Sequence, residues 1–286
     1  MKKRDRKEIE SMVYLLEDPD DFIRKSVKEE LLKLNENSVP ILDELRSKTR
    51  DKNQRKELRE IIHTITFQSF QHEFLNLLDN GIYDIKDLEE AVFLLSRFDD
   101  PTMRTARYKE ILDDMALEIT PEIRNASSMI SKMKLLTGYV YNTKGFEGCK
   151  DDYINPKHSY LNQVIDSRKG IPLSLAMIIL FLARRLHLPF YGVNMPLHFL
   201  LKFEYVDEPV LIDPFNNGAV LSKEQCALFL KKSGVKPLNT HFSNAREIDM
   251  LARFMRNLIN GYQKQRDTMR TDDMTKLLSL LEASRL

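Results

Sequence analysis

The sequence has no tryptophan, only nine glycines and very little cysteine. Its two cysteines, Cys149 and Cys226, are too few for a disulfide framework or a cysteine zinc cluster, and this indicates a reducing compartment. The net charge of +1 provides no overall attraction to nucleic acid or to anionic lipid. We therefore expect a protein that holds no metal or other cofactor and binds neither nucleic acid nor membranes.

The chain also lacks an apolar run long enough to cross a bilayer, which takes about 20 residues. Its most apolar stretch, residues 170–183, contains Ser174 and is followed by two arginines. Residues 1–8 are charged and lead into no apolar segment of the signal-peptide type. These features predict a cytoplasmic protein.

Residues 5–49 contain three short segments with apolar residues at helical spacing. The acidic turn at residues 18–21 separates the first two segments, and Pro40 opens the third. This part of the chain resembles a single HEAT-like repeat, so we predict a HEAT-like helical extension over residues 1–50. One copy favours a cap or an interaction hairpin over a solenoid, and a plain extension packed on the core is the alternative.

The centre of the chain is organised around the apolar stretch at residues 170–183. Pro172 suits the first turn of a helix, where its missing N–H costs nothing, and a helix that is apolar on every side lies inside a domain. Three strand-like segments follow, at residues 188–195, 197–203 and 210–213. They place His198 on the second strand and Asp213 on the third.

Helical patterns predict most of the remaining chain. The predicted helices lie at residues 51–79, 87–98, 102–119, 122–139, 222–232, 244–263 and 272–283. Residues 142–155 are polar and contain glycine, which is typical of a loop. The last two helices are expected to form a hairpin.

Several short motifs occur together around the central helix. They are Tyr160-Leu-Asn162, Arg168, Gly170-Ile-Pro-Leu-Ser-Leu-Ala176, Ala183-Arg-Arg-Leu-His-Leu-Pro189, Pro196-Leu-His-Phe-Leu200 and Ile212-Asp-Pro-Phe-Asn216. On these residues the sequence resembles the SirB-one family of transglutaminase-like proteins, and the resemblance extends over residues 70–266.

The resemblance implies an α+β fold with a transglutaminase-like, papain-like core and a small antiparallel sheet, flanked by helical hairpins. It implies that the SirB-one-type domain occupies residues 51–235. It also implies that residues 240–286 form a C-terminal helical hairpin, a truncated counterpart of the tetratricopeptide-like region of longer members.

A transglutaminase-like active site, as the resemblance implies it, joins a cysteine, a histidine and an aspartate. The thiol stands at a helix N-terminus that lowers its pKa, the histidine takes its proton, and the carboxylate fixes the histidine tautomer. His198 and Asp213 match the last two roles. Counting from Gly170, however, the cysteine position is occupied by Pro172, which has no nucleophilic group.

Three interpretations of this site remain open. In the favoured one the protein is non-catalytic, and the pocket that retains His198 and Asp213 binds a protein or peptide partner or serves as a regulatory module. In the second the protein is a hydrolase or acyl transferase that uses Ser174 with His198 and Asp213. Ser174 lies two residues beyond Pro172, about 200° further around a helix, so it cannot simply take the place of the cysteine. In the third, Cys149 reaches His198 from the preceding loop.

Other residues have smaller predicted roles. Asn162, Arg168, Pro172 and Asn216 are expected to orient the start of the central helix or to line the pocket. Cys226 is expected to fill core space within its helix. His158 falls in a loop, and the sequence suggests no partner for it.

Overall fold

The computed structural model describes residues 5–205 and 209–284. The chain divides into two units, Met1–Leu77 and Leu78–Leu286, and the helix that we label α4 (Lys52–Asn80) spans the division. The domain boundaries that the sequence suggests, after residues 50 and 235, remain predictions.

The first unit is built from helices. These are α1 (Arg6–Leu15), α2 (Asp21–Leu32), α3 (Val39–Lys48) and most of α4. The carboxylate of Asp20 caps α2 by accepting the N–H of Phe22 at 2.8 Å. Side chains at helical spacing, among them Ile9, Leu31 and Leu58, form its buried core. The segment is helical as predicted, and its HEAT-like character remains a prediction.

The second unit begins with five helices. They are α5 (Ile85–Asp99), α6 (Thr105–Asn125), α7 (Met129–Gly138), α8 (Leu161–Ser167) and α9 (Pro172–Arg185). Helix α6 continues through Pro121, where the sequence pattern predicted the end of one helix and the start of another. That prediction was wrong. Pro121 removes one backbone hydrogen bond from the helix, but the burial of Ile119 and Ile123 on either side of it compensates for this loss.

Helix α9 is the centre of the second unit. Every residue from Pro172 to Ala183 is buried, as the apolar stretch predicts. The far end of the helix is fixed by Arg185, which donates to the buried carboxylate of Glu89 at 2.7 and 2.8 Å and to Asp113 at 2.6 Å. The C-terminal end of α9 is therefore held against α5 and α6.

Two sheets accompany α9. Two short parallel strands, β1 (Glu147–Gly148) and β2 (Lys169–Gly170), pair directly before the helix. An antiparallel sheet of four strands follows in the order β3 (Phe190–Val193), β4 (Leu200–Phe203), β5 (Val210–Asp213) and β6 (Ala219–Leu221). Strands β3 and β4 pack against α9. A small antiparallel sheet on a buried helix, surrounded by further helices, confirms the predicted α+β fold class.

The strand boundaries differ from the prediction in three places. Leu197 has a φ of 67°, which a strand does not allow, so β4 begins only at Leu200 and His198 precedes it. The β1–β2 pair and strand β6 were both missed. Strands β1 and β2 are two residues long and pair with each other across a long stretch of chain, and β6, three residues long, pairs with β5 but is too short to show an alternating pattern.

The second unit closes with three helices. Helix α10 (Lys223–Lys232) starts at a reciprocal capping box between Ser222 and Gln225. Helices α11 (Glu247–Gln265) and α12 (Thr268–Ala283) pack together and are joined at Arg266, whose φ is 60°. The predicted C-terminal hairpin is therefore present. Among the described residues, no helix is both long enough and apolar enough to span a membrane.

Candidate functional site

The polar groups at the start of helix α9 are hydrogen-bonded to one another and to the main chain of His158. The hydroxyl of Ser174 is fully buried, donates to the main-chain carbonyl of His158 at 2.7 Å and accepts the N–H of Ile171 at 3.0 Å. Its oxygen also lies 3.1 Å from the carbonyl of Ile171. Ser174 is therefore a capping residue in the first turn, and its proton is directed at the main chain.

Pro172 occupies the first position of the helix and is buried. It provides neither an N–H nor a nucleophile, so the position that the resemblance assigns to a thiol holds an inert ring. Within the described residues, no hydrogen bond joins Ser174 to His198, and the serine version of the triad has no geometric support.

The main chain of His158 completes the helix start. Its carbonyl oxygen accepts both the hydroxyl of Ser174 and, at 3.1 Å, the N–H of Ile171. The ring nitrogen Nδ1 of His158 is buried without a hydrogen-bond partner among the described residues, and Nε2 lies 3.9 Å from Asp152. Sequence reasoning missed this role because a carbonyl that caps a distant helix leaves no side-chain signature.

Strands β1 and β2 bring the backbone of Cys149 beside the start of α9. The N–H of Cys149 donates to the carbonyl of Gly170 at 2.9 Å, directly before α9. Cys149 lies in a loop, as the sequence predicted, but the prediction that it lies away from the helix start was wrong, because strands whose paired residues are 22 positions apart (169 − 147) bring its backbone there. The side chain of Cys149 is buried.

Phe215 lies against Gly148, the residue before Cys149, and against the predicted histidine. A Cβ atom added at Gly148 would lie 2.6 Å from the carbonyl oxygen of Phe215, so this contact requires glycine. The ring of Phe215 in turn meets the ring of His198 edge to face at a centroid distance of 6.4 Å. Phe215 therefore contacts both the Cys149 segment and the imidazole.

His198 and Asp213 form a direct pair. Nε2 of His198 lies 2.8 Å from Oδ1 of Asp213. The same carboxylate accepts the N–H of Phe215 at 2.9 Å and the side-chain amide of Asn216 at 2.6 Å. The turn that provides these donors is held by Tyr141, whose hydroxyl donates to the carbonyl of Pro214 at 2.8 Å.

These hydrogen bonds keep Asp213 ionised. Burial alone would favour the neutral acid, but the donors from His198 and Asn216 outweigh it and hold the pKa of Asp213 below its ordinary value. An ionised carboxylate only accepts hydrogen bonds, so Nε2 of His198 carries the proton. Nδ1 of His198 has no hydrogen-bond partner in residues 5–205 and 209–284 and is the nitrogen left for a ligand.

The approach to His198 is strained. Leu197 adopts a left-handed conformation that a branched side chain disfavours, and its side chain is 60% exposed. On the other side, Phe229 of α10 meets the imidazole ring at a centroid distance of 6.2 Å. The backbone turn and the two phenylalanines set the orientation of the ring.

A cavity of about 250 Å³ opens beside this pair. Its walls are formed by Met195, His198, Asp213, Asn216, Leu221, Gln225, Cys226 and Phe229. Most of the wall is apolar, and the few polar groups converge near the imidazole, which is the usual composition of a binding pocket.

The sequence prediction for Cys226 was incomplete. Its side chain is buried and packs in a core cluster with Val193 and Leu230, yet it also forms part of the cavity wall. Burial, followed by the charge of Asp213, raises the pKa of the Cys226 thiol. The thiol is therefore neutral at ordinary pH and is not prepared for nucleophilic attack.

Of the predicted binding residues, one lines the cavity and three do not. Asn216 lines the cavity, whereas Asn162, Arg168 and Pro172 are not among its lining residues. Asn162 is buried in α8, and its Oδ1 has no partner in the described part of the chain. Arg168 ends α8 with a φ of 62°, and its guanidinium lies over the ring of Phe146 at 4.7 Å.

The described residues contain no cluster of three or more His, Cys, Asp or Glu side chains that could hold a metal ion. The side chains that line the cavity offer an oriented imidazole, an ionised carboxylate, two amides, the neutral thiol of Cys226 and apolar groups.

The comparison with protein families agrees with this geometry. A family model described as the transglutaminase-like superfamily matches residues 106–256, more than half of the chain. The matched region contains α9, the four-stranded sheet, His198 and Asp213. The chain belongs to the transglutaminase-like superfamily.

Individual relatives are similar over part of their length. A UPF0162 protein of Xylella fastidiosa is 34% identical over 138 residues, which cover 48% of this chain and 49% of the relative. A UPF0162 protein of Vibrio cholerae is 27% identical over 161 residues, or 54% and 57% of the two chains. Human F-box only protein 21 is 34% identical over 119 residues, 35% of this chain and 18% of the relative.

The chain thus spans about half the length of the curated UPF0162 relatives it matches. No solved structure matches this chain.

Proposed function

We propose that this protein is a non-catalytic member of the transglutaminase-like superfamily, of the SirB-one type, whose cavity beside His198 binds a protein or peptide partner. The observation that carries the proposal is the burial of Ser174 and the commitment of its hydroxyl to the main chain, next to Pro172. A nucleophile is missing from the position where this fold places one.

The retained pair has a use without catalysis. An imidazole that is oriented by Asp213 presents Nδ1 within apolar walls, and in its neutral form that nitrogen is a hydrogen-bond acceptor. Such a pocket suits an apolar side chain that is accompanied by a backbone or side-chain N–H. Asn216, which lines the same cavity, is proposed to contact the same partner.

The remaining parts of the proposal concern organisation. Residues 1–50 are taken as a HEAT-like extension, residues 51–235 as the transglutaminase-like domain and residues 240–286 as a truncated tetratricopeptide-like hairpin, with both helical segments available to partners. A cytoplasmic location is consistent with two unpaired cysteines.

The test selects peptides from a phage-displayed random library on the wild-type protein and, in parallel, on Phe229→Asp, which places a charge in the cavity wall. Peptides enriched on the wild type and not on the variant support the proposal. A library that yields no sequence dependent on the cavity, although both proteins are folded by circular dichroism, contradicts it.

A thiol-dependent hydrolase or acyl transferase is the second candidate, because β1 and β2 place the backbone of Cys149 beside the start of α9. Labelling with an iodoacetamide probe tests it, with a fluorophosphonate probe for Ser174 in parallel. His187, an exposed histidine that follows α9, provides the control. Labelling of Cys149 that falls sharply in His198→Ala and not in His187→Ala would replace the non-catalytic proposal with this one.

A further inference from the structure

The two edge strands of the four-stranded sheet differ in whether another segment of the chain pairs with them. At the β3 edge, the N–H of Ala245 donates to the carbonyl of Gly192 at 2.8 Å, and Val193 forms a bridge with Asn244. At the β6 edge, no strand in the described part of the chain pairs with the outer side of Ala219–Leu221. One edge is therefore covered by the chain itself, and the other is open.

The open edge is protected only by its length of three residues, since it contains no charged residue or proline. Edge strands are normally guarded by charged residues, proline or bulges, because their free N–H and C=O groups recruit other strands. Strand β6 is Ala-Val-Leu, and the side chain of Val220 is 57% exposed. An apolar, exposed edge of this kind is suited to pairing with another chain.

The same edge borders the cavity. Because Leu211 pairs with Leu221 and Asp213 with Ala219, the side chains of Leu221, Ala219 and Asp213 share one face of the sheet. Leu221 and Asp213 line the cavity on that face. An added strand would place alternate side chains about 5 Å from those of β6, within reach of Leu221 and the mouth of the cavity.

Helix α10 adds an apolar and basic rim. Phe229 lines the cavity, and Leu228 beside it is 52% exposed. The exposed residues Lys231, Lys232 and Lys236 follow, and none of them has an acidic partner within residues 5–205 and 209–284. The end of α10 that follows Phe229 is therefore basic and complements acidic residues that flank an apolar side chain in the cavity.

We propose that β6 is a docking edge, at which an extended peptide with acidic flanks pairs as a fifth strand and inserts an apolar side chain into the cavity beside His198. Main-chain hydrogen bonds to β6 provide affinity, and the cavity and the lysines provide selectivity. This inference rests on the proposed peptide-binding role and specifies the partner for it.

The test measures fluorescence polarisation with a fluorescein-labelled peptide, Glu-Asp-Val-Leu-Val-Asp-Glu. Two further versions carry N-methyl groups on alternate residues, one on the odd and one on the even positions. In a paired strand only alternate N–H groups face the neighbour. We therefore expect one methylated version to bind about as well as the parent and the other to lose about tenfold or more.

Protein variants test the same contact from the other side. Val220→Pro is expected to weaken binding about tenfold, whereas the matched Val220→Thr, which keeps the backbone N–H, leaves it within about twofold. The triple change of Lys231, Lys232 and Lys236 to Glu is expected to weaken binding at low salt and less at high salt. Lys264→Glu, on the exposed part of α11, serves as the charge control.

The outcomes separate this inference from the proposed function. If all three peptides bind equally and Phe229→Asp abolishes binding, the edge inference fails and the cavity stands. If the designed peptide does not bind while library peptides do so through the cavity, the edge inference also fails alone. If neither binds, both fail. If sedimentation shows a dimer that Val220→Pro dissociates and no peptide binds, the edge belongs to a second copy and the inference is wrong.

Discussion

The start of helix α9 and the cavity beside His198 belong to one unit but are built on opposite principles. At the helix start, the hydroxyl of Ser174 is buried and bonded to main-chain groups, and Pro172 fills the neighbouring position. In the cavity, an imidazole is held by Asp213 while its other nitrogen faces no partner among the described residues. The polar groups of the helix start are already bonded within the protein, whereas the cavity leaves one imidazole nitrogen for a ligand.

This difference shows that the orientation of His198 does not depend on the residues at the helix start. The orientation of His198 depends on Asp213, Phe215 and Phe229, and none of these contacts needs a nucleophile. A substitution at the helix start therefore leaves the rest of the pocket intact. Changes at the helix start should then affect stability, and changes in the cavity should affect binding.

The largest expected effect concerns the contact behind the helix start. Gly148→Ala would place Cβ 2.6 Å from the carbonyl of Phe215 and should destabilise the fold by about 3 kcal/mol, since the opposing group is backbone. Urea denaturation measures the loss. Gly138→Ala is the matched control, because neither Gly148 nor Gly138 has a positive φ and the nearest atom to the added Cβ at Gly138 is 3.8 Å away. Equal losses in the two variants would show that the contact with Phe215 is unimportant.

Ser174→Ala should cost about 1 kcal/mol, because the carbonyl of His158 and the N–H of Ile171 each lose one buried partner and stay paired with each other. Peptide binding by the folded variant should stay within about twofold of the wild type. The exposed Ser167→Ala, which also removes a hydroxyl bonded to a carbonyl, should cost less than about 0.5 kcal/mol. A Ser174→Ala variant with normal stability and abolished binding or activity would reverse the assignment of the two regions.

Asp213 should make the protein acid-sensitive. Its folded-state pKa lies below the unfolded value of about 3.9, so the ionised carboxylate stabilises the fold fully above that value, and the contribution is lost as the pH falls through the folded pKa. Asp213→Asn should therefore reduce the loss of stability on acidification below about pH 4. Urea midpoints at several pH values measure this. Parallel curves for the two proteins would mean that the carboxylate is not held ionised by its partners.

His198→Ala should change stability by less than about 1 kcal/mol, since its ring makes one side-chain hydrogen bond and edge contacts at a partly open site. Binding of cavity-dependent peptides should fall by about tenfold or more. His187→Ala serves as the matched control. If His198→Ala unfolds the protein and leaves the binding of the remaining folded fraction unchanged, the imidazole is a structural strut.

The smallest effect is expected at Leu197. Replacing it by glycine removes about 1–2 kcal/mol of left-handed strain and adds about 0.5–1 kcal/mol of unfolded-state entropy, so Leu197→Gly should stabilise the protein by about 0.5 kcal/mol. A thermal melt measures the change. A clear loss of stability would show that the exposed leucine side chain makes contacts that outweigh the strain.

Local sequence patterns predicted much of the second unit correctly. Helix α9, the capped helix α10, the C-terminal hairpin and strand β5 all rest on signals within a few residues: apolar periodicity, Pro172 at a helix start, and Ser222 as a cap. The strand prediction for His198 was wrong because the conformation of Leu197 is imposed by the turn into β4 and is foreign to leucine.

The sequence by itself determined the buried helix, the inert residue at its start and the presence of a histidine and an aspartate near the sheet. Only the tertiary structure decided that the carbonyl of His158 seals the helix, that Cys149 lies beside Gly170, that Cys226 forms part of the cavity wall and that β6 has an open edge. The physical reason is the separation along the chain of the residues that interact. Periodicity and capping act between near neighbours in the chain, whereas these contacts join segments that meet only when α9 and the sheet have packed.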